Sequence, residues 1–202
     1  MKVIALVSTV GGLTATREVL SGLPADLPAA VIVLEHLSPE HASFLPELIR
    51  RDTPMPVHAV EDDAEVLAGH VYVAPPGYHT LVTSGPRFSL VASGVYPPSR
   101  PSADLLLTTL ALASGPDAIA VVMTGAGNDG AAGAAIIHKH GGMVLATDMA
   151  TSQNFSMPAA TIARDQVTTA VLPVPEVAHR LIELVCAPAH GDPSIPQPGR
   201  SA

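Results

Sequence analysis

AIAVVMTGAGNDGAAGAA, residues 118–135, joins a strand pattern to a helix pattern through a glycine-rich turn. Its first six residues form a continuous apolar run, the pattern of a strand covered on both faces in a parallel sheet between helical layers. A glycine-rich turn carrying Asn128 and Asp129 follows, and a run of small residues then opens a helix. The same alternation continues in both directions. It predicts further strands at 3–7, 30–34, 143–147 and 169–172, and helices at 14–21, 42–51, 103–113, 131–140, 159–164 and 175–185. Residues 57–95 have a different texture: VHAVED, HVYVAP, HTLVTS and RFSLVAS, separated by Gly and Pro turns. These are expected to be antiparallel strands inserted into the parallel sheet or flanking it. No internal repeat is visible.

The expected fold is one α/β domain over residues 1–186. It has a mainly parallel, doubly wound, Rossmann-like three-layer sheet with an antiparallel β-hairpin element. Residues 187–202 contain four prolines and no apolar period, so a disordered tail is expected there.

With three Phe, three Tyr and no Trp, the core must be built from Ala, Val, Leu and Ile. The net charge of −8 argues against an electrostatic grip on nucleic acid or on an anionic membrane surface. Cys186 is the one cysteine, so no internal disulfide can form and a cytoplasmic setting is expected. The opening MKVIALVSTVGG has an apolar run well short of the roughly 20 residues of a membrane span, and no cleavage-site pattern. It reads as a first strand, and no membrane insertion is expected.

In open parallel sheets, chemistry gathers beyond the carboxyl ends of the strands, where loops lead into helix N-termini. Three such ends stand out. In VSTVGGLTA, Ser8 and Thr9 sit on a strand-to-helix turn before Gly11 and Gly12. A hydroxyl there lies beside the positive end of a helix, which can stabilise an oxyanion. The plain alternative is a capping residue beside a tight turn. VIVLEHLSPEH leaves His36 just past a buried strand, where it suits a general base or a surface histidine. Asp129 suits either the orienting carboxylate of an imidazole or a helix cap. Hydroxyl, imidazole and carboxylate at three strand ends form a coherent hydrolytic set.

These residues lie within longer matching pieces: IALVSTVGGLTATREVL, VLEHLSPEHASFLPEL, AEVLAGHVYVAPPGYHTL, SRPSADLLL, VMTGAGNDGAAGAA and TSQNFSMPAA. In this order they resemble the catalytic domain of the chemotaxis protein-glutamate methylesterases of the CheB type, and the TGAGNDG stretch is the most specific. The resemblance implies hydrolysis of glutamate methyl esters on cytoplasmic segments of methylated chemoreceptors, and often deamidation of receptor glutamine. It sets His36 and Asp129 on the family's catalytic histidine and aspartate. No cofactor is expected, and no metal, because the histidines lack an accompanying carboxylate or cysteine at a recognised ligand spacing.

The chain departs from the family at the nucleophile. Members carry their serine one residue before the paired glycines' neighbour, as Ser-x-Gly-Gly, and that slot holds Thr9, with Ser8 one residue earlier. Neighbouring strand residues point to opposite faces, so the two hydroxyls are not interchangeable. Three outcomes stay open: Thr9 is the nucleophile, the turn presents Ser8 instead, or esterase activity is impaired. Register favours Thr9. A phosphate-receiving domain commonly precedes the catalytic domain in the family, and with Met1 starting almost on the first strand it is expected to be absent here. Arg100, just before a helix in SRPSAD, is expected to be a substrate-side contact, against the plain reading of a solvated loop arginine.

Other readings exist. GAGNDG, residues 125–130, formally fits G-x-G-x-x-G after a strand and before a helix, with Asp148 at the next strand's end, as in a dinucleotide-binding unit. That leaves Ser8, Thr9 and His36 unexplained. A non-catalytic receptor-binding role is a third possibility. The remaining histidines, His79 among them, show no ligand spacing and are expected to be bystanders. The oligomeric state is not encoded legibly.

Overall fold

The computed structural model describes residues 1–36, 43–94, 100–164 and 166–186. The expectation for residues 187–202 lies outside them. The first half of the chain forms β1 (Lys2–Ser8), α1 (Gly12–Ser21), β2 (Ala29–Glu35), α2 (Leu45–Ile49), β3 (Val57–Ala59) and β4 (Val71–Val73). A hairpin of β5 (Tyr78–Thr83) and β6 (Arg87–Ala92) leads to α3 (Ala103–Ser114) and β7 (Ala118–Val122). The chain closes with α4 (Ala131–Lys139), β8 (Met143–Thr147), α5 (Ser156–Ile162), β9 (Ala170–Leu172) and α6 (Val174–Cys186).

Seven strands pair in the order β3-β4-β2-β1-β7-β8-β9, and every pairing in this sheet is parallel. Alternate side chains of each strand enter opposite layers. Ile4 and Leu6 pack with Val19, Leu20, Val177 and Leu181 beneath α1 and α6, and Ile49 of α2 joins them. Val3, Ala5 and Val7 face the other way, toward Leu106, Leu107 and Leu110 of α3, Ala134 of α4 and Met157 of α5. The hairpin is added to this second layer through Val82 and Phe88. This is the doubly wound, three-layer α/β architecture expected from the sequence. No helix among the described residues is long and apolar enough to cross a membrane.

The small residues in the α3–α4 layer have a geometric purpose. A Cβ on Gly133 would lie 2.6 Å from Leu107 Cβ and 2.9 Å from the Asp104 carbonyl, so α4 can approach α3 this closely only with glycine there.

The expectation of antiparallel strands throughout 57–95 needs correction. β3 and β4 are parallel members of the main sheet, and only β5 and β6 pair antiparallel. Val71, Tyr72 and Val73 are all buried, which marks a strand covered on both faces. The segment between β3 and β4 does not turn back tightly. It runs beside β6, where the Val66 amide donates to Pro86 and the Phe88 amide to Ala64. Helix α5 starts three residues before its expected position because Pro158 falls in its first turn, where a missing N–H costs nothing. Helix α2 is shorter than expected, and Pro46 lies in its first turn.

Candidate functional site

The sheet reverses its winding between β1 and β7, and the loops leaving β2, β1 and β7 meet at one edge. The strand ladder continues past the strand ends. The Thr9 amide donates to the Thr124 carbonyl at 3.1 Å and the His36 amide to the Ser8 carbonyl at 3.3 Å. Each of the three loops is thereby held against its neighbour.

His36 and Asp129 are 93 residues apart in sequence, and His36 Nε2 lies 2.9 Å from Asp129 Oδ2. With Nε2 donating to the carboxylate, Nδ1 is the ring nitrogen left to exchange a proton with a substrate or nucleophile. Asp129 is only 8% exposed, and its carboxylate sits on the first turn of α3. It accepts the Ala103 amide at 2.7 Å, the Asp104 amide at 2.9 Å and the Ser102 hydroxyl at 3.2 Å. Burial alone would push its pKa up. The bonds from His36 and from the Asp104 and Ala103 amides outweigh that and hold the carboxyl below its ordinary value. It therefore stays ionised beside the imidazole.

The two hydroxyls of the first loop diverge, as strand alternation requires. Ser8 is fully buried, and among the described residues its Oγ has no hydrogen-bond partner. It lies under the first turn of α1, where a Cβ on Gly12 would come within 2.2 Å of it. Thr9 is partly exposed, and its Oγ1 accepts the Ala126 amide at 2.7 Å. Among the described residues no hydrogen bond links Thr9 directly to His36; the hydroxyl is held by the turn after β7. Gly125 makes this approach possible, since a Cβ there would lie 2.7 Å from Thr9 Oγ1.

Sequence reasoning missed the residues that fix this turn. Thr124 is buried; its Oγ1 donates to the Val10 carbonyl at 2.9 Å and accepts the Asn154 amide at 2.9 Å. The loops after β1, β7 and β8 are thus tied at one hydroxyl. Ser102 carried a legible signal, a serine before an apolar helix with an acid in its first turn, and it is the N-cap of α3. His79, expected to be a bystander, is buried at 6% exposure with Nδ1 accepting the Ser102 amide at 3.1 Å. Glu35, next to His36, is a carboxyl whose pKa burial raises, against the opposing pull of the Leu13 amide and of His36. Arg100 donates from Nη1 to the Gly94 carbonyl at 2.7 Å.

The dinucleotide reading meets a physical obstacle. The amides of Gly130 and Gly133 at the start of α4, where a pyrophosphate would bind, already donate to Asp104 Oδ1 at 2.9 and 2.7 Å. Asp148 caps its own turn by accepting the amide and hydroxyl of Thr151.

Comparison with known proteins bears on the family and the fold. The family model for CheB methylesterase matches residues 4–181. A protein-glutamate methylesterase/protein-glutamine glutaminase of Myxococcus xanthus is 34% identical over 179 residues, covering 89% of this chain and 50% of that protein. A namesake from Archaeoglobus fulgidus is 33% identical over 181 residues, covering 88% of this chain and 52% of that protein. The chain spans about half the length of the curated relatives it matches. The crystal structure of the Thermotoga maritima CheB methylesterase catalytic domain superposes with a TM-score of 0.87 at 32% identity, covering 91% of this chain and 98% of that one. The chain belongs to the CheB methylesterase family.

Proposed function

We propose that this chain is a protein-glutamate methylesterase that hydrolyses glutamate methyl esters, and deamidates glutamine, on cytoplasmic segments of methylated chemoreceptors. The single observation that carries the reading is the 2.9 Å bond between His36 and the buried, ionised Asp129, at strand ends flanking the one that carries Thr9. The names of the relatives support the substrate class.

In this reading Thr9 is the nucleophile, and full burial of Ser8 supports that choice. The Ala126 amide holds the Thr9 oxygen, leaving the hydroxyl proton to be given to His36 Nδ1 as the oxygen attacks the ester carbonyl. Asp129 stabilises the imidazolium that forms. The same imidazolium returns the proton to the departing methoxide, and methanol leaves. Water then repeats the sequence on the acyl-threonine and releases the glutamate carboxylate. Arg100 serves as a substrate-side contact through its guanidinium. Residues 1–186 form the catalytic unit, and it works in the cytoplasm.

The test is methanol release from membranes bearing methylated receptor. His36→Ala should reduce it by roughly a thousandfold or more. Release that is unchanged in His36→Ala would reject the reading.

A further inference from the structure

The hairpin stands apart from the main sheet, yet one of its residues reaches the site. His79, the second residue of β5, is buried behind Ser102. Its Nδ1 accepts the Ser102 amide, so that nitrogen must carry a lone pair and the ring proton of the neutral form sits on Nε2. Ser102 in turn donates its hydroxyl to Asp129 Oδ1 at 3.2 Å, and the next two amides of the chain, Ala103 and Asp104, donate to the same carboxylate. Asp129 then holds His36. The hydrogen bonds run His79–Ser102–Asp129–His36 without a gap.

We propose that His79 is a positioning residue for the His36–Asp129 pair: it fixes the Ser102 turn so that the Ser102 hydroxyl and the first amides of α3 stay aimed at Asp129. Among the described residues, three of the four hydrogen bonds to Asp129 come from residues 102–104, so a shift of that turn moves the carboxylate as a unit. Among the described residues, the charged groups that act on His79 are Asp129 and Arg100. Burial, with help from Arg100 and against the pull of Asp129, lowers the His79 pKa and keeps the Nδ1 lone pair available through the neutral range. A histidine that merely filled a core position would need no particular nitrogen unprotonated. This inference takes its kinetic consequence from the proposed esterase reading, but its structural consequence stands without it.

The experiment compares wild type with His79→Asn, His79→Gln and His79→Leu in the full chain. An asparagine carbonyl can occupy the place of Nδ1, whereas glutamine reaches toward Nε2 and leucine offers no acceptor. Two readouts are taken: the downfield proton NMR signal of the hydrogen bond between His36 and Asp129, and the kcat and KM of methanol release. The expected result is that His79→Asn keeps the wild-type signal and kcat within about threefold, while His79→Gln and His79→Leu lose or shift the signal and lower kcat by about 100-fold with little change in KM. If leucine prevents folding, the asparagine–glutamine contrast decides. Indistinguishable Asn and Gln variants, or a wild-type signal in His79→Gln, would overturn the proposal. A wild type that releases no methanol would reject the esterase reading alone, because the NMR comparison still decides the role of His79.

Discussion

Asp104 and Asp129 cap each other's helices. Asp129, just ahead of α4, accepts the Ala103 and Asp104 amides at the start of α3; Asp104, in α3, accepts the Gly130 and Gly133 amides at the start of α4. The amide of one aspartate is bound by the side chain of the other, so the two helix starts are locked together and the carboxylate facing His36 is locked with them.

The cross-capping makes Asp104 consequential although, among the described residues, its side chain bonds to neither His36 nor Thr9. Asp104→Ala strands two helix-start amides and should cost about 1–2 kcal/mol of stability. It should also lower kcat, because the turn carrying Asp129 loosens. Asp104→Asn keeps an acceptor, and it removes a carboxylate whose pKa is raised, mainly by burial and further by the nearby Asp129. It should therefore be much closer to wild type in a urea titration. Equal destabilisation by the two substitutions would contradict the capping account.

Gly125 tests the turn that holds the Thr9 oxygen. A Cβ there would lie 2.2 Å from Met157 Sδ and 2.7 Å from Thr9 Oγ1. Gly125→Ala should cost about 1–3 kcal/mol through overpacking, and should reduce methanol release far more than the folded fraction falls. Full activity in a folded Gly125→Ala protein would show that the position of the Thr9 oxygen is unimportant.

The histidine behind the site gives a pH signature. The His79 pKa is lowered in the folded protein, chiefly by burial, so between its folded value and the unfolded value of about 6.5 the unfolded chain binds the extra proton. Its contribution to stability is therefore present above about pH 6.5 and is lost as the pH falls toward the folded value. On going from about pH 7 to about pH 5.5, the urea midpoint of wild type should fall more than that of His79→Asn, which has nothing to titrate at that position. Parallel curves for the two proteins would contradict the assignment.

The architecture was largely legible because buried parallel strands announce themselves: the runs at 118–123 and 143–147 carry no polar residue except at their ends. The β3–β4 edge of the sheet was less so. The three-residue strands β3 and β4 are too short to show a period, and a buried VYV cannot reveal which direction its neighbour runs. At the site, His36 and Asp129 could be read from their places at strand ends, because topology brings such ends together. His79 and Thr124 could not, since their roles depend on single hydrogen bonds to Ser102, Val10 and Asn154 across the fold. Ser8 and Thr9 could be separated by alternation, whereas the bond from the Ala126 amide to the Thr9 hydroxyl joins residues 117 apart and leaves no local pattern.

Methanol release from methylated receptor membranes by Thr9→Ala and Ser8→Ala, beside wild type, decides which hydroxyl attacks the ester. Thr9→Ala should lower the rate by several orders of magnitude, Thr9→Ser should keep or raise it, and Ser8→Ala should cost far less. A folded Ser8→Ala protein that releases no methanol, beside a Thr9→Ala protein that matches wild type, would contradict the account.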